Sequence, residues 1–136
     1  MKRVILILWT MIFAVVLTAC GAEKLSDNYK EEEVITKGKQ VVEALNAQEY
    51  QTVTDMVRED VKEQLSAVVL EDALDKKIKD AGAFVEYKQM VTAGSQDKKS
   101  GEDYAIVVLT GKYENTNLTY TISMNENLEL VGLYMK

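Results

Sequence analysis

An α+β domain, with N-terminal helices packed on a four-stranded antiparallel sheet, is predicted by three observations on this sequence. Apolar residues from Val34 to Ile78 recur at the three-to-four-residue spacing of one helix face. After Gly82 the spacing falls to two, and Val, Ile, Thr and Tyr take over. Only short turn-like stretches separate the later segments, which makes neighbouring strands antiparallel.

The chain opens with Lys2 and Arg3 followed by an uncharged run from Val4 to Ala22, the n-region and h-region of an export signal. That run closes on Leu17-Thr18-Ala19-Cys20, and Cys20 is the only cysteine. Small side chains at Thr18 and Ala19 suit a peptidase subsite, whereas a core cysteine more often stands inside a strand or helix. The competing reading is an uncleaved membrane-spanning helix, since the run is close to the spanning minimum in length.

The Leu17-Thr18-Ala19-Cys20 stretch resembles the lipobox of bacterial lipoproteins. The resemblance implies that residues 1–19 are a signal peptide, that Leu17, Thr18 and Ala19 are read by the signal peptidase, and that Cys20 carries a diacylglyceryl anchor with palmitate-like chains. The mature protein would then be held by lipid on the extracytoplasmic face of the cell membrane. Two acyl chains suit stable anchoring, because one chain alone binds a bilayer marginally.

Residues 20–33 read as the lipidated cysteine and a tether, small, polar or charged and ending in Glu31, Glu32 and Glu33. The glutamates are expected to be a solvated first helical turn at the positive end of the helix dipole. Residues 34–136 are expected to form one domain. Val34, Gly38, Val41, Val42 and Leu45 lie on one helical face, and Tyr50, Val53, Val57, Val61 and Leu65 continue the period after a break at residues 46–49. A second break near Arg58 to Asp60 would make three helices of two. Residues 67–81 form a further helix, with Ser66 as N-cap, Leu70, Leu74 and Ile78 facing inward, Lys76, Lys77 and Lys79 complementing its C-terminal end, and Gly82 ending it. Strands are predicted at residues 83–93, 102–113, 118–125 and 128–135. In the third, Leu118, Tyr120, Ile122 and Met124 alternate with Thr119, Thr121, Ser123 and Asn125, giving one buried and one wet face. In the second both faces are apolar, as expected of a strand covered on both sides or one whose outer face meets a partner.

Sixteen basic and 22 acidic residues give a net charge of -6, and loss of Lys2 and Arg3 with the signal makes it -8. Such a surface repels nucleic acid and anionic lipid. No histidine is present, which removes the commonest general base and zinc ligand, and a lone cysteine forms no internal disulfide. The acids lack the spacing of a calcium loop. Ser66, Ser95 and Ser100 lack a motif for serine-lysine catalysis, and Lys98 and Lys99 are expected in a solvated turn, where a lysine keeps its charge. Tyr87, Tyr104, Tyr113, Tyr120 and Tyr134 are explained by sheet packing. Glu86 shares a face with Phe84, Lys88 and Met90 if its strand is regular, and Asp55, Asp60 and Asp72 read as helix-surface or capping residues. No catalytic, metal or cofactor set is expected, and no ligand-binding residue is legible.

Helices followed by four antiparallel strands resemble the cone-shaped nuclear transport factor 2-like folds. More narrowly, Val41-Val42-Glu43-Ala44-Leu45, then Tyr50, then Leu65-Ser66 opening a helix that ends Gly82-Ala83-Phe84, resembles the exported bacterial family called domain of unknown function 3887. The likeness spans about residues 34–135. It implies a curved sheet, a Gram-positive type of envelope and an accessory role. The expected function is a non-enzymatic binding module for an envelope protein or a small apolar ligand. The alternatives are a histidine-free isomerase or dehydratase using a carboxylate and a tyrosine in the cone, and a module that dimerises through its sheet.

Overall fold

Residues 23–136 are described by the structure, a computed structural model. The signal segment and Cys20, with Leu17, Thr18 and Ala19, lie outside the described residues. Helix α1 (Glu31–Asn46), α2 (Tyr50–Asp55) and α3 (Ala67–Ala81) precede strands β1 (Phe84–Gln96), β2 (Asp103–Tyr113), β3 (Asn117–Met124) and β4 (Leu130–Met135). The strands form one antiparallel sheet in the order β1-β2-β3-β4. All three helices are on one side of it, so the domain has the predicted α+β architecture.

The inner face carries the core. Ala105, Val107 and Leu109 of β2, Tyr120, Ile122 and Met124 of β3, and Val34, Val41, Val42 and Leu45 of α1 are all wholly buried. Helix α1 rests on β1 and β2, and α3 rests on α2 and β3. Gly38 is the point of closest approach, because a Cβ there would lie 2.8 Å from a Val107 methyl.

Helix α3 has the predicted ends. Ser66 accepts a hydrogen bond from the Val69 N–H at 3.3 Å, a side-chain cap. Gly82 stops the helix at φ 84°, ψ -159°, a conformation open essentially to glycine alone. The β2–β3 turn then completes the cap: the Asn115 N–H donates to the Ala81 carbonyl and its side chain donates to the Asp80 carbonyl.

The helical period running from Tyr50 to Leu65 is overridden. Helix α2 stops at Asp55, and only a single 3-10 turn at Glu59–Val61 follows. The reason lies in β4, whose edge competes for this backbone: the Arg58 N–H donates to Leu130 O and the Leu130 N–H to Met56 O, both at 2.9 Å. Val57 is still buried, so the period located an apolar contact but not its conformation.

A second difference concerns the tether. From Glu23 onward the chain is packed on the domain. Glu23 bridges Gly94, Tyr29 is buried, and α1 already begins at Glu31. The first strand accordingly runs on to Gln96, past the predicted end at residue 93, because Glu23 and Asp103 supply partners on its two sides. The last strand begins at Leu130, two residues late, because the Asn125 side chain accepts from the N–H groups of Asn127 and Glu129 and folds residues 125–129 into a turn.

Candidate functional site

Register places the outer face of the sheet in rows. Val91, Val108, Thr121 and Tyr134 stand side by side across all four strands. In the next row Ala93 adjoins Ile106, Ser123 and Gly132. Val91 and Tyr134 are exposed, at 43% and 63%, and Ile106 and Val108 are half-buried by their strand neighbours alone. The core beneath the helices is formed by the other side, and the loop residue Arg58 borders this face at one end. Its centre is apolar and its periphery, at Thr110, Thr119 and Ser95, carries hydroxyls.

Where the row consists of small residues the face sinks into a groove of about 310 Å³, lined by Ser95, Tyr104, Ile106, Ser123, Val131 and Gly132 and closed at one end by Arg58. A Cβ added to Gly132 would meet only Ser123, at 3.6 Å, so glycine keeps this floor low. Arg58 makes a two-pronged contact with Asp60, at 2.6 and 3.1 Å, and a third bond to Glu102 at 3.0 Å. The Tyr104 hydroxyl donates to the other Glu102 oxygen at 2.8 Å. These bonds hold the Asp60 carboxyl below its usual range and engage the guanidinium within its own domain, which leaves an apolar and hydroxyl-lined groove. Arg58 was legible only as a break in periodicity. Its signal is that it is the sole arginine beyond Arg3.

The interior is organised around tyrosines. The Tyr113 hydroxyl donates to the side-chain amide oxygen of Asn46, and the Tyr120 hydroxyl lies 2.7 Å from that of Tyr113 as its remaining donor. Phe84 stacks edge-on against both Tyr87 and Tyr113, with ring centres at 4.9 and 5.4 Å. The Tyr87 hydroxyl is buried without a hydrogen-bond partner among the described residues, and Lys39 stands over its ring at 5.4 Å. Sheet packing thus accounts for Tyr87, Tyr113 and Tyr120 on the inner face, whereas Tyr104 and Tyr134 belong to the outer one.

Burial raises every one of the inner phenols. Tyr87 is pushed up to about 12, by burial first and Glu43 next, and Tyr29 to about 12 by burial and then Glu126. Tyr50, Tyr113 and Tyr120 are raised as well, burial being the largest cause for each. A phenol raised in the folded state stabilises the fold fully below its unfolded value near 10, and that stability is lost as pH rises through the folded value. The domain should therefore keep its stability up to about pH 10 and lose roughly 3 kcal/mol or more by pH 12. Phenolate absorbance followed with circular dichroism checks this: the inner tyrosines should ionise only as the fold is lost. Ionisation of all tyrosines in a still-folded protein would refute it.

The predicted acidic and basic residues are dispersed. A bulge between Phe84 and Glu86 pairs Glu86 with Lys112 and turns it away from the face that holds Phe84, so the regular-strand expectation for Glu86 fails. Asp75 accepts from Tyr50 at 2.6 Å and pairs with Lys79 at 2.9 Å, and its carboxyl is lowered by Lys79 first and Tyr50 second. Lys76 and Lys77 are exposed on the same helix. Asp55 accepts from Gln51, and Asp72 is exposed on α3. Glu31 accepts from Thr92, while Glu32 and Glu33 border a shallow groove of about 420 Å³ with Thr36, Lys37, Gln40 and Leu128. Lys98 and Lys99 are in the exposed β1–β2 turn, where Ser100 accepts from the Glu102 N–H. Among the described residues no group of three or more acids or other ligating side chains is placed to hold a metal ion.

The family model described as "Protein of unknown function (DUF3887)" matches residues 38–133. The chain belongs to this family. The DUF3887 match begins at Gly38, the helix–sheet contact, and runs through Leu133, so it takes in the core of the sheet and the whole groove. Among solved structures, the DUF3887 chain is similar to that titled "NMR structure of protein from Ruminococcus gnavus ATCC 29149", at 21% identity over 84% of this chain and 97% of that one, with a TM-score of 0.74. The likeness shows the fold. No curated protein matches the chain.

Proposed function

We propose that this DUF3887 protein is a membrane-anchored, non-enzymatic binding module of the cell envelope, held by lipid on Cys20 and receiving an envelope protein on the outer face of its sheet. The observation that carries the binding part is the two-sided apolar character of β2. Its inner residues are wholly buried, and its outer residues, Ile106 and Val108, form an apolar centre left half-buried. A protein suits this surface better than a small molecule, because the face is broad and its groove fits a single inserted side chain. The interior supports the same preference. Tyr120, Leu109, Ile122 and Met124 fill the space beneath the helices, and the buried hydroxyl pair ends on the amide of Asn46. The carboxylates hydrogen-bonded to Tyr50 and Tyr104 are Asp75 and Glu102, each paired with a cation, and the Asp75 carboxyl is lowered, the reverse of the raised carboxyl an isomerase needs.

The anchor is tested by Cys20→Ala, which should block lipidation and processing and leave the longer precursor. Unchanged gel mobility and membrane retention would refute the lipid anchor. The docking face is tested by photo-crosslinking in intact cells from Val91 or Tyr134, with Asp72 on α3 as the control position. One discrete heterologous adduct from the sheet positions, lost in Gly132→Val, is expected. Gly132→Val fills the groove at an open site and should change stability by no more than about 0.5 kcal/mol. Equal labelling from Asp72 would overturn the docking face, and an adduct of twice the protein's own mass would replace the envelope partner with a second copy.

A further inference from the structure

The first described residues are fixed to the sheet at several independent points. The Gly94 N–H donates to Glu23 O at 2.7 Å, in an antiparallel bridge. The Lys24 carbonyl lies where a Gly94 side chain would be, 2.6 Å from the position of a Cβ. Leu25 packs on the core, Ser26 and Asn28 donate to Asp103 at 3.2 and 3.1 Å, and the buried Tyr29 donates from its hydroxyl to Asp103 O at 2.7 Å. Only Gly21 and Ala22 stand between Cys20 and this docked segment. Three Cα steps span at most about 11 Å, whereas a flexible tether of a dozen residues would wander about 20 Å.

Direction follows from the same bridge. Because Glu23 pairs antiparallel with Gly94, the chain at Glu23 points back towards Gln96 and the β1–β2 turn. The β3–β4 turn is at this end too, since Asn28 donates to both Asp103 and Glu126. Exposed Lys24, Lys98 and Lys99 are found here, and none of them is in an ion pair among the described residues. Of the neighbouring acids, Asp97 accepts from the Lys99 N–H, Glu102 pairs with Arg58, and Asp103 and Glu126 hold Asn28, while Glu23 and Asp27 are exposed.

We infer that the domain stands directly on the lipid headgroups on the end formed by its β1–β2 and β3–β4 turns, leashed too short to tumble, with the sheet upright. This inference rests on the lipid-anchor reading of Cys20. It deepens the proposed function, because an upright sheet presents the Val91 to Tyr134 row sideways, to a protein in the same membrane. The β2–β3 turn, at the far end of β1 and about 40 Å away at 3.3 Å per residue, is the outermost part.

The test uses the full lipidated chain in vesicles of phosphatidylcholine and phosphatidylglycerol. Acylation consumes the Cys20 thiol, so Ser100→Cys and Asn115→Cys each supply the one free thiol for a fluorophore. With a quencher on the lipid headgroup, the Ser100 position should be quenched several-fold more than the Asn115 position. Inserting twelve Gly and Ser residues between Ala22 and Glu23 should reduce that contrast to near unity without touching the fold. Gly94→Ala should do the same by expelling Lys24 from its seat. Equal quenching at the two positions in acylated protein, or a contrast indifferent to the insertion, overturns the orientation alone. A mature mass lacking the diacylglyceryl group overturns the anchor and the orientation together.

Discussion

Gly38→Leu should abolish cooperative folding, and Gly38→Ala should lower stability by about 1–2 kcal/mol. Helix α1 crosses β2 so closely that a Cβ at residue 38 would lie 2.8 Å from one Val107 methyl and 3.1 Å from a Leu109 methyl. Both strand residues are fully buried, and Val107 is β-branched, with little freedom to turn aside. Replacing glycine by alanine in a helix gains about 0.5–1 kcal/mol, while overpacking a dense core costs typically about 1–3 kcal/mol, so the clash prevails. Leucine cannot be accommodated by a shift of tenths of an ångström. It lifts α1 from the sheet and exposes the seam on which Val34, Val41, Val42 and Leu45 are buried, against a whole-domain stability of only about 5–15 kcal/mol. Urea unfolding followed by circular dichroism measures both variants. A Gly38→Ala protein more stable than the parent would show that the interface yields and would sink the argument.

Tyr120→Ala should cost about 3–5 kcal/mol, the range for deleting a buried aromatic ring. Tyr120 is fully buried on the inner face of β3, and its hydroxyl completes the chain through Tyr113 to Asn46. Tyr120→Phe separates ring from hydroxyl. It should cost about 1–2 kcal/mol, because Tyr113 keeps Asn46 as acceptor but loses a buried donor. Combining Tyr120→Phe with Asn46→Ala should cost less than the sum of the two single changes if the three groups act as one network. Strict additivity would mean that the hydroxyl pair is incidental to the packing. A Tyr120→Phe protein as stable as the parent would mean the same.

How much could be read from the residues varied with how local the deciding interaction was. Helix α3 was legible from end to end because its period, its Ser66 cap and its Gly82 stop are written within seventeen consecutive residues. The alternation in β3 was legible for the same reason, since one wet face and one buried face enforce a period of two. The extent of helix α2 was half legible: a break near Arg58 to Asp60 was one reading of the period, but nothing near Val57 in sequence announces that Leu130 will take its neighbours' hydrogen bonds. The face of Glu86 was legible only for a regular strand, and the bulge that decides it is set by how two strands share twist, which a single strand does not express.

The outer-face site was half legible. Apolar residues on both sides of β2 signalled a covered strand or a partner, but not which. The groove depends on Arg58, Tyr104, Ser123 and Gly132 meeting from four separate stretches of chain, and none of these carries a motif. The seating of the N-terminal segment was not legible, because its polar composition reads as a tether. Its one aromatic, Tyr29, and the Asp103 carbonyl that holds it are separated by 74 positions, too far apart for a pattern to connect.

The sequence by itself determined the class of fold, the order of elements, the helix and strand faces and the one candidate acylation point, because periodicity, caps and a lone cysteine are local properties. Only the tertiary structure decided where α2 ends, which way Glu86 points, how the tyrosine hydroxyls are shared and how closely the chain from Glu23 onward is held to the sheet. Each of those is settled by backbone groups and side chains that must be satisfied by partners distant in sequence. A buried donor or acceptor takes whichever partner the packed chain brings within reach.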